Sequence, residues 1–285
     1  MPVDNDQLIR LVDKMPAFPQ GAQQIIALSN NVNCAPRDLV KVIEHDPVLT
    51  LKVLKLVNSS YFGLAQEVTS VNHAVVYLGI NTVKNVALSV AALGALPKEN
   101  SVGFDMPAFL WHSLVTGSVA RLVSKLHRAD EAGLSNAFVA GLIHDIGKIV
   151  FVQFLPNEYT ACMRGIEGEG EPPVYVEAKM IGADHAQVGA MLAEKWQLPA
   201  ELAEAIRHHH EIETRTELSL LEKALFVGNQ VSKFVAPEGY PKAVYEPFPA
   251  HIEEWVGCTL EEVPATLPEL KSEIEKAEVI INTGE

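Results

Sequence analysis

Cysteine is nearly absent: Cys34, Cys162 and Cys258 are the only thiols in 285 residues. Three widely spaced thiols build no disulfide framework and no CxxC zinc pair, so they read as packing residues in a reducing compartment. Positive charge is scarce too. Twenty-two basic residues face 36 acidic ones, a net charge of −14, and the basic residues do not cluster. Such a chain repels a phosphate backbone, so no nucleic-acid partner is expected. Long apolar runs are lacking. The longest reads as Val86 to Pro97, VALSVAALGALP, too short for a bilayer and broken by glycine and proline, so no membrane partner is expected. The first residues, MPVDNDQLIR, have no basic start followed by an apolar core and do not read as a signal peptide. A cytoplasmic location is the expectation. Alternating apolar and polar runs of strand length are missing, as are hairpin dipeptides between apolar runs.

What is present reads as helix, and the expected fold class is all-α. With 48% hydrophobic and 20% charged residues the chain has a globular profile, long enough for one large domain or two modest ones. In DLVKVIEHDPVLTLKVLKLVN, Asp46 caps a helix that starts on Pro47, and Leu49, Val53, Leu56 and Val57 recur on one face. HAVVYLGINTVKNVALSVAAL shows a helix, a stop at Gly79, a cap at Asn81 and a second helix. Reading this pair as a DNA-binding helix-turn-helix would require basic residues on the second helix. Lys84 alone is there, and helix packing is the better reading. No internal repeat is evident.

Composition divides the chain twice. PKENSVGFDMP, residues 97 to 107, is a polar linker, and after Val235 eleven Glu face three Lys among six prolines. The expected organisation is an N-terminal helical bundle over 1–100, a second bundle over 101–235 and an acidic extension over 236–285, read as a solvated, helical or partly disordered cap.

The histidines stand in informative places. His112 sits in FLWHSLVTGSVA, His144 and Asp145 in GLIHDIGK, and His185 in GADHAQVGAML where a helix begins. His208, His209 and His210 end AEAIRHHHE, and Asn229 lies in ALFVGNQVS. One buried histidine is ordinarily a hydrogen-bonded core residue. A His-Asp pair in an apolar run is different, because a buried carboxylate needs a cation, hydrogen bonds or a metal. Imidazoles on several amphipathic helices are how helical bundles build internal metal sites, and imidazole with carboxylate suits Fe, Mn, Zn, Co or Ni. Gly147 permits close backbone approach, and Lys148 can hold a phosphate oxygen or pair with Asp145.

GLIHDIGK resembles the signature of the HD phosphohydrolase superfamily, over roughly residues 108 to 230. MPAFPQGAQQIIAL, VIEHDPVLTLKVLKLVNSSYFGL and VTSVNHAVVYLGINTVKNVAL, in that order, resemble the HDOD domain, over about residues 14 to 215. That resemblance implies an N-terminal helical bundle packed on an HD-type bundle, in a bacterial protein of signal transduction and regulation. It implies a protein partner in a signalling pathway, or a nucleotide or phosphate ligand. By similarity to the HD-GYP phosphodiesterases, which hydrolyse cyclic di-GMP with two metals, one subsite would use Asp145, His185, His209 and His210. His208 stays open, because the register within HHH is uncertain by one. The other subsite would use His112, His144, Asp145 and a closing carboxylate that is Asn229 here. An acid placed one turn before the first histidine in those enzymes is Ala108. Gly239-Tyr240-Pro241 lies about thirty residues past the histidine run, out of register with the GYP motif, and is read as coincidence. The resemblance thus implies one or two divalent ions, with His144, Asp145 and Lys148 as the catalytic residues if turnover occurs. The amide at Asn229 lowers the charge of the second subsite. A regulatory binding protein is therefore the expectation, with a metal-dependent phosphohydrolase or phosphodiesterase of nucleotides or cyclic dinucleotides as the alternative.

Overall fold

In the computed structural model, the residues described are 3–29, 35–58, 64, 66–94, 102–169, 172–238, 240 and 245–283. Cys34, residues 97–101 of the polar linker, Gly239 and Pro241 lie outside them. The described residues form helices without a strand. Of helices α1 (Asn5–Lys14), α2 (Gln20–Ser29), α3 (Pro36–Glu44), α4 (Pro47–Val57), α5 (Val71–Leu78) and α6 (Ile80–Gly94), α2 to α6 pack on one another as the N-terminal bundle, whereas α1 packs on helices of the second bundle. The second bundle comprises α7 (Met106–Leu126), α8 (Glu131–Ile143), α9 (Ile146–Phe154), α10 (Pro156–Glu169), α11 (Pro173–Met180), α12 (His185–Lys195), α13 (Ala200–Arg207) and α14 (Leu220–Phe234). Helices α15 (Ala250–Val256), α16 (Val263–Thr266) and α17 (Leu270–Thr283) follow.

Local chemistry accounts for many helix ends. Asp46 Oδ1 accepts from the amides of Val48 (2.9 Å) and Leu49 (3.0 Å), and Leu49, Val53, Leu56 and Val57 are buried, as their spacing predicts. Gly79 closes α5 with φ of 81°, a conformation glycine adopts without penalty. Asn81 is not the cap of the next helix: α6 starts at Ile80, because Gly79 itself turns the chain directly into it.

Helix α7 is the axis of the second bundle, with α8, α14 and α17 packed on it. Glycine sets the separation. A Cβ on Gly141 of α8 would lie 2.4 Å from the Gly117 Cα of α7, and one on Gly228 of α14 would lie 2.5 Å from the Thr116 oxygen. Backbones this close bring α8 and α14 onto α7 one turn beyond His112. The longest apolar stretch is not Val86 to Pro97 but lies in Glu131–Phe154, 24 residues whose most apolar 18-residue window has a mean hydropathy of 1.5, long and apolar enough by composition to cross a membrane. Its most apolar window is 83% buried within the protein, and it carries His144, Asp145 and Lys148, so it reads as the core of this bundle.

The acidic extension is anchored. Ile252, Leu260, Val263, Leu267, Leu270, Ala277 and Ile280 are buried, and Glu273 accepts from Ser118 Oγ at 3.0 Å beside Arg121 at 3.5 Å. Cys162 is buried and Cys258 half-buried, both free.

The N-terminal helix is tied to the second bundle by one cation. Lys195 Nζ, at the end of α12, donates to the carbonyls of Val12 (2.9 Å), Asp13 (2.8 Å) and Met15 (2.8 Å) at the end of α1. An ammonium suits a helix C-terminus, where unpaired carbonyls concentrate negative charge. Beside it Trp196 Nε1 donates to the Pro16 carbonyl at 3.0 Å, and the Trp196 ring packs on Phe18. Lys195→Met is expected to destabilise the chain by about 2 kcal/mol, the scale of hydrogen bonds from a charged donor. Urea denaturation checks this, and an unchanged midpoint would show that the three carbonyls are served as well by water.

Candidate metal centre

Five elements converge on Asp145. The His-Asp pair is not inside a helix: His144 closes α8 and Asp145 opens α9, so both side chains project from a two-residue junction. Both are buried, as are His185 and His209. Gly147 makes the convergence possible. A Cβ there would stand 2.0 Å from the His185 carbonyl oxygen and 2.8 Å from the Gly189 amide, so the start of α9 lies against the start of α12. Asp184 caps α12 through the Gln187 amide at 2.8 Å, placing His185 in its first turn.

Around Asp145 the distances are short. Its Oδ1 lies 3.1 Å from His185 Nε2 and 3.9 Å from His209 Nε2; its Oδ2 lies 3.5 Å from His144 Nε2, 3.6 Å from His112 Nε2 and 2.6 Å from Lys148 Nζ. His112 and His144 approach each other at 3.2 Å through their Nε2 atoms, and His185 and His210 at 3.1 Å. Two overlapping sets of donors result, Asp145 with His185, His209 and His210, and Asp145 with His112 and His144, each with ligand atoms within 4.8 Å of one another. Either set could hold a metal ion.

The tautomers point the same way. His144 Nδ1 faces the Gly141 carbonyl at 2.8 Å, His209 Nδ1 the Ile206 carbonyl at 2.7 Å, and His185 Nδ1 the Glu177 carboxylate at 2.6 Å. Carbonyl and carboxylate oxygens only accept, so in each ring Nδ1 carries a proton and Nε2 turns toward Asp145. Such an outer acceptor orients a metal-binding imidazole. His209 Nε2 is buried with no hydrogen-bond partner, and both side-chain atoms of Asn229 are likewise unpaired. Unpaired buried polar atoms are costly, and a cation supplies what His209 lacks. The residues therefore fit a divalent transition metal: nitrogen and carboxylate donors, preset tautomers and a vacant lone pair.

Electrostatics of the metal-free centre follow from burial. Burial lowers His144 to about 4 against the opposing pull of Asp145, and it also lowers His112, His209 and His210 well below the ordinary range. His185 is the exception: burial opposes its charge, but Glu177 and Asp145 together outweigh it and lift the ring to about 9. Asp145 is pushed up by burial, yet His144, Lys148 and His185 hold it well below the carboxylate range. A ring whose folded pKa lies below its unfolded value binds fewer protons when folded, so its contribution to stability is lost as pH falls. The His185 contribution is complete below about 6.5 and is lost only as pH rises toward 9, so it does not change during acidification. The metal-free protein is accordingly expected to weaken between pH 6.5 and 5, by about 2 kcal/mol from His144 alone. Urea midpoints at the two values, after chelation, measure it. Equal midpoints would mean that these rings are hydrated and titrate normally.

His208 is outside the centre. Its Nδ1 lies 2.8 Å from Glu211 and its Nε2 3.3 Å from Glu204, both exposed acids, because the turn after α13 sends it outward while His209 and His210 turn in. Ala108 lies in the first turn of α7, its amide capped by Asp105 at 2.9 Å, so no acid stands at that position. Tyr240 packs against Trp111, a structural contact. Two residues of the centre were not singled out in the sequence. Glu177, fully buried on α11, binds both the Nδ1 and the backbone amide of His185. Ser232 Oγ lies 2.9 Å from His112 Nδ1 and 2.8 Å from Thr116 Oγ1. Their only signal was position, one glutamate eight residues before His185 and one serine three residues after Asn229.

With that geometry in place, comparison with known proteins is informative. Residues 15–212 match the model of the HDOD domain. A protein of Treponema pallidum (strain Nichols) without a characterised function is 30% identical over 203 residues, 70% of this chain and 38% of its own length, so the chain spans well under half of that relative. A candidate signal transduction protein of Marinobacter aquaeolei VT8 is 25% identical with a TM-score of 0.76, over 98% of this chain and 65% of its own. A candidate phosphohydrolase of Shewanella amazonensis SB2B shares the fold at 23% identity and a TM-score of 0.73, over 96% and 97% of the two chains. The stretch matched by the family model runs from the N-terminal bundle through the His-Asp junction to the histidine run, and on that match the chain belongs to the HDOD domain family.

Proposed function

We propose that this chain is a regulatory protein of bacterial cytoplasmic signalling, which binds a protein partner or a small ligand around a metal-holding His/Asp centre and has little or no turnover. The observation that carries the reading is Asn229. It is buried on α14 with an unpaired, uncharged side chain, at the position where the superfamily resemblance expects a closing carboxylate. Asp145, His185, His209 and His210 would hold one ion. His112 and His144 would have only the shared Asp145 to bring charge to a second, and an amide carbonyl binds a divalent ion more weakly than a carboxylate. When bound, such a metal supplies Lewis acidity and water activation. This chain's residues orient the donors through Glu177, Gly141 and Ile206, and hold Lys148 against Asp145.

A metal-dependent phosphohydrolase is the second reading, favoured by the complete four-donor set and by Lys148 beside it. Metal analysis of the untreated protein, with assays on nucleotides, cyclic dinucleotides and a chromogenic phosphodiester in Mn and Fe, separates the two. Stoichiometric metal without turnover is expected. Metal-dependent turnover that His144→Ala abolishes would sink the regulatory reading, and turnover that appears only in Asn229→Asp would mark a degenerate enzyme.

A further inference from the structure

The Nδ1 partners of the rings around Asp145 are of two kinds. His144, His209 and His185 face the Gly141 carbonyl, the Ile206 carbonyl and the Glu177 carboxylate, groups that only accept, so a proton is locked at each Nδ1. His112 faces a hydroxyl instead. Ser232 Oγ lies 2.9 Å from His112 Nδ1, 2.8 Å from Thr116 Oγ1 and 2.9 Å from the Asn229 carbonyl oxygen. A serine has one proton to give and two lone pairs that receive, so it serves a neutral imidazole in either tautomer. With its proton on the Asn229 carbonyl, Ser232 accepts from an Nδ1–H. With its proton on His112 Nδ1, the ring carries its own hydrogen at Nε2. Thr116 Oγ1 can donate to Ser232 in both arrangements.

The atom facing His112 chooses between the two. His112 Nε2 lies 3.2 Å from His144 Nε2. Because Gly141 keeps the His144 proton at Nδ1, His144 Nε2 offers only a lone pair, and this contact is a hydrogen bond only when His112 supplies the proton. Two bare lone pairs at that distance would repel each other. The empty subsite is thus closed by a bond between two of its own ligands, whereas a cation needs both Nε2 lone pairs. We propose that Ser232 is a positioning residue that makes the His112–His144 subsite a tautomer switch. Empty, His112 Nε2–H closes onto His144. Filled, the His112 proton sits on Nδ1 and is donated to Ser232 Oγ, whose own proton turns to the Asn229 carbonyl. The ring carries one proton in both states and gains no charge. Exchange with water relocates that proton, since the His112 side chain is 17% exposed while that of His144 is fully covered. The switch rests on the metal-centre reading and adds regulation to it: an ion here must displace a hydrogen bond between its ligands, so its occupancy follows the supply of metal.

Heteronuclear NMR of the histidine ring nitrogens, on the full chain stripped of metal and then titrated with zinc, tests it. His112 is expected as Nε2–H before zinc and as Nδ1–H once both subsites are filled, with His144 at Nδ1–H throughout. Ser232→Ala removes the acceptor for the Nδ1 proton, so it is expected to bind the second zinc about tenfold or more weakly, the usual loss for an outer partner. Thr116→Val removes a hydroxyl from the same buried network without touching His112 Nδ1, and should keep both the tautomer change and the second zinc. A His112 already protonated at Nδ1 in the metal-free chain overturns the proposal. A second zinc held as tightly by Ser232→Ala as by wild type does so too, as does an equal loss in both variants. Zinc bound with no change at His112 sinks the switch alone, whereas a chain that takes up no zinc sinks the metal-centre reading and the switch with it.

Discussion

Asp145→Asn is expected to empty both subsites at once, lowering metal affinity on the order of 100-fold or more, beyond the usual loss for an outer-shell partner. The reason is that one carboxylate belongs to both donor sets. Its two oxygens divide the work: Oδ1 faces His185 and His209, and Oδ2 faces His112, His144 and Lys148. An asparagine keeps the size of the side chain but removes the charge that a divalent ion needs, and it offers one carbonyl where two oxygens stood. It also leaves Lys148 facing an amide, adding positive charge to the centre. Metal content after dialysis measures the effect, and a thermal melt confirms that the chain is still folded. His208→Ala is the matched control. Its ring is held by Glu204 and Glu211 on the exposed side, so metal content should not move. Retention of metal by Asp145→Asn, or its loss from His208→Ala, would contradict this geometry.

Gly147→Ala should be the most damaging small substitution in the chain, at about 3 kcal/mol or beyond, the upper end of ordinary overpacking costs. The added methyl would lie 2.0 Å from the His185 oxygen and 2.8 Å from two further backbone atoms, none of which can rotate away. Helices α9 and α12 would have to separate, drawing His185 from Asp145. Gly165→Ala, on α10, makes the comparison, since its methyl would meet only Val176 Cγ1 of α11 at 3.3 Å. Alanine is the better helix former there, and the net change should stay within about 1 kcal/mol. Chemical denaturation of both variants gives the difference. Similar midpoints would mean that the α9–α12 contact yields at little cost.

A separation of local from distant information runs through the molecule. Periodicity and caps are local, so the helix starting at Pro47 after Asp46, the helix starting at His185 and the all-α class were legible in the residues themselves. The candidate donors His112, His144, Asp145, His185, His209 and His210 were legible as well, through motif order and resemblance. The structure brings these six together. Sequence alone left the register of the HHH run open, because the direction of each ring depends on where α13 ends. That helix stops at Arg207, and the following turn points His208 at Glu211 and the next two rings inward.

Other features belong to tertiary structure because their causes are distant in the chain. Glu177 carries no motif, and its role comes from the turn that folds α11 back onto the start of α12. Ser232 reads as an ordinary helix residue until close glycine contacts press α14 onto α7 and place it beside His112. The acidic extension read by composition as a solvated cap, whereas its apolar residues are buried and Glu273 finds Ser118 and Arg121. Composition averages over both faces of a helix and cannot tell which one is covered. The sequence by itself determined the helical class, the family and the kinds of donor available. Which donors share one carboxylate and which partners orient their rings were decided by packing, because those contacts join residues up to 120 positions apart.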